Sequence, residues 1–166
     1  MLSVEERLHP SIMDELFHVR LFYEGYFSAL EGQNFAEWPR FFTDNSSYTV
    51  QSASSRRGGY AICDIFCDSK AMICDRANAL NATSLFEQRF IRYFLGAIQI
   101  KERGPERLNV ETSYLAIESV MDEAPAIFSV GRTIDVVERT EEGFLFSRRE
   151  VVYDHTSIRN SLIFPL

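Results

Sequence analysis

Residues 126–139 read AIFSVGRTIDVVER, residues 140–143 form the short link TEEG, and residues 144–154 read FLFSRREVVYD. Apolar side chains recur along both long arms, and a glycine closes the link between them. This pattern predicts two long antiparallel strands joined by a tight turn. The chain then ends on residues 160–166, NSLIFPL, which carry no charged side chain. Since an apolar terminus is stable when it is covered, we expect this segment to dock, with a partner chain as the favoured surface.

Further strands are predicted upstream of this pair, over residues 48–53, 60–66, 87–103 and 108–121, with 87–103 as either one long strand or a bent pair. The last two, with the pair above, are consecutive and closely linked, which predicts an antiparallel meander. Within residues 90–100 both alternating sets are largely apolar. One set is Phe90, Phe94, Ile98 and Ile100, and the other is Ile91, Tyr93, Leu95 and Ala97. Helices can cover only one face of a sheet, so we expect the other face to meet a pocket or another chain. Gly96 and Gly131 in mid-strand predict bends.

The first half of the chain favours helices. A stripe at steps of three and four residues predicts a long helix over residues 11–30; its members are Ile12, Leu16, Val19, Tyr23, Tyr26 and Leu30. Shorter helices are predicted over residues 34–42 and 69–80, with Met72, Arg76, Ala79 and Leu80 at helical spacing in the second. Residues 44–47 are predicted as a turn, and residues 54–59 and 81–86 as loops. Helices first and a sheet afterwards indicate an α+β fold with helices on one face.

The length, charge and cysteine content of the chain restrict the functions that it can have. The 166 residues suit a single domain over residues 1–166. A formal net charge of −7 argues against a nucleic-acid or anionic-membrane partner, since either would need a basic face. The three cysteines form no disulfide framework, which suits a reducing cytoplasm. We identify no signal peptide and no apolar run long enough to span a membrane.

Candidate metal ligands are scattered. Cys63, Cys67 and Cys74 contain no Cys-x-x-Cys pair and have no histidine within four residues, so packed thiols are favoured over a cluster or zinc site. His9 precedes the first helix and His18 lies on it. We favour a plain helix-surface role for His18, because an iron site needs three converging ligands.

Several acidic residues are candidates for acid–base chemistry. Asp135 and Glu150 lie within strands, where either a general base or a salt bridge on the mixed face with Arg132, Arg148 or Arg149 is possible; we favour the salt bridge. Asp154 could orient His155, although neighbouring residues on a strand point to opposite faces. Asp75 and Arg76 form an ion-pair candidate, and Gly58–Gly59 is a weak phosphate-loop signal. From the residues alone, no catalytic constellation is convincing.

Several strings, in order, resemble one known family. They are residues 37–43 (EWPRFFT) after a helix that contains Tyr23-Glu24, 68–76 (DSKAMICDR), 89–96 (RFIRYFLG), 128–132 (FSVGR), 143–149 (GFLFSRR), and Asp154 followed by 160–164 (NSLIF). In this order and spacing the chain resembles the small (beta) subunit of the aromatic-ring-hydroxylating dioxygenases, the Rieske non-haem iron oxygenases. The resemblance covers nearly the whole chain, from about residue 15.

The resemblance implies a cone-like α+β fold in which N-terminal helices pack on a strongly curved, mostly antiparallel sheet, as in nuclear transport factor and ketosteroid isomerase. It implies a non-catalytic subunit of a complex of three large and three small chains, with no catalytic, cofactor-binding or metal-binding residue here. The Rieske [2Fe-2S] cluster and the mononuclear iron would lie in the large subunit. A ferredoxin or a reductase would supply electrons to that subunit. Asp75, Arg76, Arg132 and Arg149 would then be structural or interface residues.

The same resemblance points to an aromatic carboxylate such as terephthalate, salicylate or a halobenzoate as the substrate of the whole enzyme, in aromatic-compound catabolism. An alternative function comes from the fold, because the same cone also forms free-standing lyases and isomerases. For that function Asp135, Asp154 or His155 would need to line a pocket. A small-molecule-binding or scaffold domain is the third candidate.

Overall fold

The computed structural model describes residues 10–60, 62–82, 89–155 and 162–166. Its helices are α1 (Pro10–Glu31), a 3-10 helix (Trp38–Phe41), α2 (Ala53–Arg57) and α3 (Lys70–Ala82). Its strands are β1 (Phe42–Ser52), β2 (Ile65–Cys67), β3 (Arg89–Arg103), β4 (Arg107–Val120), β5 (Ala126–Thr140) and β6 (Gly143–Tyr153). Among the described residues, no helix has both the length and the apolarity needed to cross a bilayer.

One six-stranded sheet carries the fold, in the order β2-β1-β6-β5-β4-β3. Strands β3 to β6 form the predicted antiparallel meander. Strand β1 pairs in parallel with β6, however, and antiparallel with β2. Helix α1 packs against β3 and β6, and we call the face that it covers the inner face. The α+β fold with a mostly antiparallel sheet is therefore confirmed.

The core between α1 and the inner face is built from aromatic rings. Tyr23 and Tyr26 of α1 make edge contacts with Phe146 of β6, each with 5.4 Å between ring centroids. Trp38 and Phe42 pack edge to face at 5.9 Å. Such rings bury large apolar areas, and edge contacts add a small directional term. The predicted stripe on α1 is confirmed: its four C-terminal members are buried and the first two are half-buried.

Between Leu95 and Ile98, an irregularity in β3 reverses which side chains of the strand point to the inner face. Ile91 and Tyr93 point inward before it, and Ile98 packs against the core after it. Phe90 and Phe94 point outward and are each 52% exposed. The prediction that Ile98 and Ile100 share a face with Phe90 and Phe94 is therefore wrong, because a bulge shifts the alternation by one residue.

The two mid-strand glycines lie where another chain segment comes close. A Cβ atom on Gly131 would lie 2.2 Å from the carbonyl oxygen of Val152 and 2.7 Å from the Cα atom of Tyr153. A Cβ atom on Gly96 would lie 2.3 Å from the Oγ atom of Ser113. At Gly131 both obstacles belong to the backbone of β6, so close strand approach is the reason for the glycine.

Several local predictions in the first half are corrected. The helix over residues 34–42 is reduced to the 3-10 turn Trp38–Phe41, and residues 44–47 belong to β1 rather than to a turn. Residues 44–47 are part of the sheet because β1 pairs with β6, and the register of that pairing shifts between Phe42 and Ser47. The loop over residues 54–59 contains α2, which is capped by the Ser52 hydroxyl accepting the Ser55 N–H at 3.0 Å.

The segment around α3 differs in detail. The strand over residues 60–66 is confined to β2, Ile65–Cys67. Helix α3 extends to Ala82 and buries Ile73 and Ala77, whereas Met72, one of the four residues at the predicted helical spacing, is 40% exposed. Residues 83–86 of the predicted loop and residues 87 and 88 of the predicted strand lie outside the described residues.

Candidate functional site

An ion pair lies at the centre of the inner face. Asp135 of β5 and Arg149 of β6 are directly opposite each other in the strand register. The Nη1 atom of Arg149 lies 2.9 Å from the Oδ2 atom of Asp135, and both side chains are fully buried. The predicted Asp135 salt bridge thus exists with Arg149. It lies beneath α1, not on the mixed face.

The Asp135 carboxylate is held by two hydroxyl groups as well. The Tyr23 hydroxyl and the Thr133 hydroxyl both donate to Oδ2 at 2.6 Å. Burial raises the pKa of the Asp135 carboxyl, while Arg149, Thr133 and Tyr23 act to lower it. The Oδ1 atom has no hydrogen-bond partner among the described residues. The Oδ2 atom of this acid therefore accepts from three donors, Tyr23, Thr133 and Arg149.

The Arg149 guanidinium lies among aromatic rings. Its Cζ atom is 4.3 Å from the ring centroid of Tyr26 and 4.8 Å from that of Phe146, with Tyr23 and Phe27 slightly farther away. Burial opposes the charge, but the Asp135 carboxylate raises the pKa of Arg149 above its usual value. Cation–π contact and the ion pair together keep a full positive charge in the core. Its Nη2 atom has no partner among the described residues.

The last five residues, 162–166, which we call the C-terminal segment, end beside this guanidinium. The main-chain oxygen of Leu166 accepts hydrogen bonds from the Tyr26 hydroxyl at 2.9 Å and from the Tyr48 hydroxyl at 3.2 Å. The Nε atom of Arg149 lies 3.4 Å from the same oxygen. The Leu166 N–H donates to the Tyr48 hydroxyl at 2.8 Å. Leu166 is 1% exposed, so the segment fills the interior.

Other side chains hold the C-terminal segment along its length. The Tyr93 hydroxyl donates to the Pro165 carbonyl at 2.7 Å. Arg76 donates from Nη2 to the carbonyls of Leu162 and Ile163 at 3.0 and 2.9 Å. The expected docking of this terminus is confirmed, but on the chain's own core. Arg76 was predicted to pair with Asp75 and instead binds these carbonyls.

Glu150 takes part in a different salt bridge from the one predicted. Its Oε1 atom accepts from the Nε atom of Arg56 at 2.6 Å and from the Gln51 side-chain amide at 2.9 Å. The partner therefore comes from α2, which the sequence had placed in a loop, and not from the sheet arginines.

Asp154 and His155 do not point into the Asp135–Arg149 cluster. The Asp154 side chain is exposed, and its backbone N–H donates to Val130 at 2.9 Å. The Nε2 atom of His155 lies 3.3 Å from the Ser129 hydroxyl, which also lies 2.9 Å from the Tyr114 hydroxyl. Sequence reasoning missed Ser129, since an irregularity in β5 turns this fully buried residue inward.

The remaining candidates are separate from the ion pair. His18 lies on the exposed side of α1, with Nδ1 2.8 Å from the Asp14 carbonyl oxygen, and His9 lies outside the described residues. Cys63, Cys67 and Cys74 are free thiols. Burial raises the pKa of the Cys63 and Cys67 thiols, which makes them less reactive. Within the described part of the chain, no group of three or more His, Cys, Asp or Glu side chains is placed to hold a metal ion.

An open groove of about 730 Å³ lies outside the core, between the start of α1 and the β5–β6 turn. Its lining includes Asp14, Glu15, Glu141 and Glu142. It contains none of the three residues that a free-standing enzyme of this fold would need, Asp135, Asp154 and His155. Asp135 is fully buried on the inner face, and the accessible groove is not lined by it.

Known proteins similar to this chain are subunits of ring-hydroxylating enzymes. The chain is 20% identical over 154 residues to the anthranilate 1,2-dioxygenase small subunit of Burkholderia cepacia, covering 93% of this chain and 96% of that one. It is 22% identical over 148 residues to a terephthalate 1,2-dioxygenase terminal oxygenase component subunit beta 2 of a Comamonas species, covering 89% and 96%.

Solved structures agree on the fold. The beta subunit of a candidate aromatic-ring-hydroxylating dioxygenase from Novosphingobium aromaticivorans superposes with a TM-score of 0.81 at 24% identity, covering 89% of this chain and 94% of that one. A candidate scytalone dehydratase from the same organism superposes with a TM-score of 0.66 at 15% identity, covering 90% and 94%. The predicted cone-like fold is confirmed.

The sequence profile of the family described as ring hydroxylating beta subunit matches residues 27–160. That span begins within α1 and includes both Asp135 and Arg149. It covers most of the 166 residues. This chain therefore belongs to the family of ring-hydroxylating beta subunits.

Proposed function

We propose that this chain is a non-catalytic structural subunit of a multicomponent aromatic-ring-hydroxylating oxygenase, and that none of its residues is catalytic or holds a cofactor. The observation that carries this proposal is the filled interior of the fold. Asp135 is saturated at one oxygen by three donors, and Leu166 occupies the space beside Arg149. A general base needs a substrate within hydrogen-bond reach, and here the side chains of Asp135 and Arg149 and the residue Leu166 are all buried.

The partner that we propose is the large subunit of the oxygenase, in a complex of three large and three small chains. The Rieske [2Fe-2S] cluster and the mononuclear iron would lie in that subunit, and a ferredoxin or reductase would supply electrons. A Rieske cluster needs two cysteines and two histidines, and the described residues of this chain offer no such set. The names of the relatives support the partner, because each denotes one subunit of a larger enzyme.

An apolar area on the outer face of the sheet supports contact with another subunit. Phe94 of β3, Leu115 of β4 and Val130 of β5 are neighbours in the strand register, and Ile127 lies three residues before Val130, beyond the irregularity in β5. Together with Phe90 they form what we call the sheet patch, in which all but the half-buried Leu115 are exposed. Exposed apolar side chains clustered in this way are typical of an interaction site, and Arg92 lies among them between Phe90 and Phe94. We infer that the large subunit covers the sheet patch.

We further propose an aromatic carboxylate as the substrate of the complete enzyme. Anthranilate and terephthalate, named in the two relatives, are both aromatic carboxylates. The chain would act as one domain in the cytoplasm, and its three free thiols are consistent with a reducing compartment.

The test is purification of the untagged chain from cells that express its own gene cluster, followed by native mass and iron analysis. We expect this 19.2 kDa chain to elute with a larger chain and with iron. A metal-free monomer or dimer, with no second chain, would contradict the subunit function. That outcome would favour the free-standing lyase or isomerase and direct attention to Asp135, Asp154 and His155.

A further inference from the structure

Helix α1 carries an apolar strip on the side that does not pack on the sheet. Met13, Phe17 and Leu21 recur every four residues and are 47%, 57% and 47% exposed. Side chains four residues apart are neighbours on one face of a helix. The buried stripe of α1 already packs on the inner face, so contact with the sheet does not account for these three side chains. Such a row on one helix face is typical of a contact with another protein.

The apolar strip runs into the open groove of about 730 Å³ at the β5–β6 turn. Leu21 lines this groove, and Phe17 packs edge-on against His18, another lining residue, with 5.8 Å between ring centroids. Two further rings line it, Phe22 of α1 and Phe144 of β6, at 6.1 Å from each other. A second groove of about 530 Å³ shares these two rings and extends to the 3-10 helix. We call the strip and the two grooves together the helix groove.

The walls of the helix groove are fixed by contacts within the chain. Glu15 of α1 forms salt bridges with Arg103 at the end of β3 and with Arg139 near the end of β5. The Arg139 guanidinium also lies 5.8 Å from the ring centroid of Phe144. These contacts hold the start of α1 against the sheet. A partner therefore does not have to order the groove when it binds, which keeps the entropic cost of binding low.

The rim of the helix groove carries carboxylates without a counter-ion. Glu141 and Glu142 of the β5–β6 turn line both grooves and are exposed. Neither forms a salt bridge with another described residue. The exposed Asp14 lies on the opposite wall. A partner that presents lysine or arginine beside apolar side chains would complement both the rings and the rim.

We propose that the helix groove binds a segment of the large subunit in which apolar or aromatic side chains lie next to lysine or arginine. This inference rests on the proposed subunit function and adds a contact to it. The contact is separate from the sheet patch, because α1 covers the inner face and the sheet patch lies on the outer face. With a contact on each layer, one small chain can hold two parts of the oxygenase in a fixed relative position.

A second copy of this chain fits the helix groove less well. Each copy has a formal net charge of −7. A twofold contact between two helix grooves would bring Glu141 and Glu142 of both copies together, and like charges oppose such a contact. The same carboxylates disfavour nucleic acid and anionic membranes as occupants.

The test uses the complex purified from cells that express the gene cluster, with p-benzoylphenylalanine incorporated in place of Leu21. Irradiation cross-links this side chain to its neighbour, and mass spectrometry identifies the linked peptide. We expect a large-subunit segment with lysine or arginine within a few residues of the cross-link. Linkage to a second copy of this chain, to a large-subunit segment without basic residues, or to nothing would overturn the proposal and leave the subunit function intact.

The unaltered chain separates the two proposals. If it does not co-purify with a larger chain at all, the subunit function itself is contradicted, and this contact with it. If it does co-purify, only the position of the cross-link decides whether the helix groove is part of the interface.

A charge reversal tests the rim. Glu142→Lys should keep the unfolding midpoint, because the side chain is exposed, and should weaken binding of the separated large subunit by about three- to tenfold. Added salt should weaken binding of the unaltered chain and have less effect on the variant. Asp44→Lys is the matched control, since it makes the same change of charge at a side chain of β1 that is 94% exposed. Equal binding by the two variants would overturn the proposed charge complementarity.

Discussion

Asp135 and Arg149 face each other across β5 and β6 and form an ion pair, 2.9 Å long, from which solvent is fully excluded. Removing two charges from water is costly, and the pair persists because Tyr23, Thr133 and four aromatic rings surround it. In an enzyme of this fold an interior carboxylate could serve as a base. In this chain the same type of residue connects the sheet to α1.

Removing one member of the pair should be strongly destabilising. We expect Asp135→Ala to lower the free energy of unfolding by about 3–5 kcal/mol, because Arg149 would remain buried without its counter-ion. The double variant Asp135→Leu with Arg149→Met should recover much of this loss. Urea unfolding monitored by circular dichroism measures both, and an Asp135→Ala chain as stable as the parent would refute the structural role.

Trp38 should be a major contributor to stability. It is fully buried, packs on Phe42 and Tyr48, and donates to Tyr26. We expect Trp38→Ala to cost about 3–5 kcal/mol, since it leaves a large cavity and removes that donor. Denaturant unfolding is the measurement, and Tyr60→Ala, at an exposed ring, is the matched control. Equal midpoints for the two variants would contradict the prediction.

Phe164→Asp alone should weaken the chain through the C-terminal segment. Phe164 is nearly buried against Phe35 and Arg89, so a carboxylate there would be desolvated or would pull the segment out. We expect a lower unfolding midpoint and faster proteolysis near the terminus. Met72→Asp, on the exposed side of α3, is the control that should change neither.

Alkaline pH should unfold the chain through its buried tyrosines. Burial raises the pKa of Tyr23, Tyr48 and Tyr93 well above the usual range. The unfolded chain loses these protons near pH 10 and the folded chain keeps them. Stability is therefore fully present below about pH 10 and falls above it, by about 1.4 kcal/mol per pH unit for each such tyrosine.

The check is the pH dependence of urea unfolding together with tyrosinate absorbance. These three tyrosines should ionise in step with unfolding, and Tyr48→Phe should reduce the slope by the share of one residue. Ionisation of all the tyrosines in a chain that stays folded would show that the hydroxyl groups are accessible.

His155 should be dispensable for turnover. Its ring packs against Tyr153 at 4.6 Å between centroids, and it lies beside a buried serine rather than in a cleft. We expect His155→Ala to leave the turnover number of the assembled oxygenase within about twofold of the parent. Iron content and subunit ratio serve as controls. A large loss of turnover in a complete complex would indicate a catalytic role for this chain.

Phe94 on the sheet patch should matter for assembly and little for folding. The side chain is 52% exposed in the isolated chain, so Phe94→Glu should keep the unfolding midpoint and reduce the amount of large subunit that co-purifies. Gln99→Glu adds the same charge farther along β3 and should change neither quantity. Full recovery of the complex with Phe94→Glu would exclude the sheet patch as the contact.

The sequence was sufficient to predict the elements whose patterns are local. The stripe from Ile12 to Leu30 predicts α1, because a helix repeats every 3.6 residues and the stripe covers about five turns. The alternation in residues 126–154 predicts β5 and β6, because the strand period of two persists through most of each arm. The ordered strings from residue 37 to residue 164 were enough to indicate the family.

Only the tertiary structure decided which faces and which partners these elements have. Single-residue irregularities in β3, β5 and β6 reverse the alternation, and they arise from pairing with a neighbouring strand rather than from the strand's own composition. The parallel pairing of β1 with β6, the complete burial of Arg149 and the docking of Leu166 on Tyr26 and Tyr48 join residues about 100 or more positions apart, or across separate elements. The periodicity of a segment predicts which of its side chains face the interior. It does not predict which residues of other segments they contact there, because that depends on how several segments pack together.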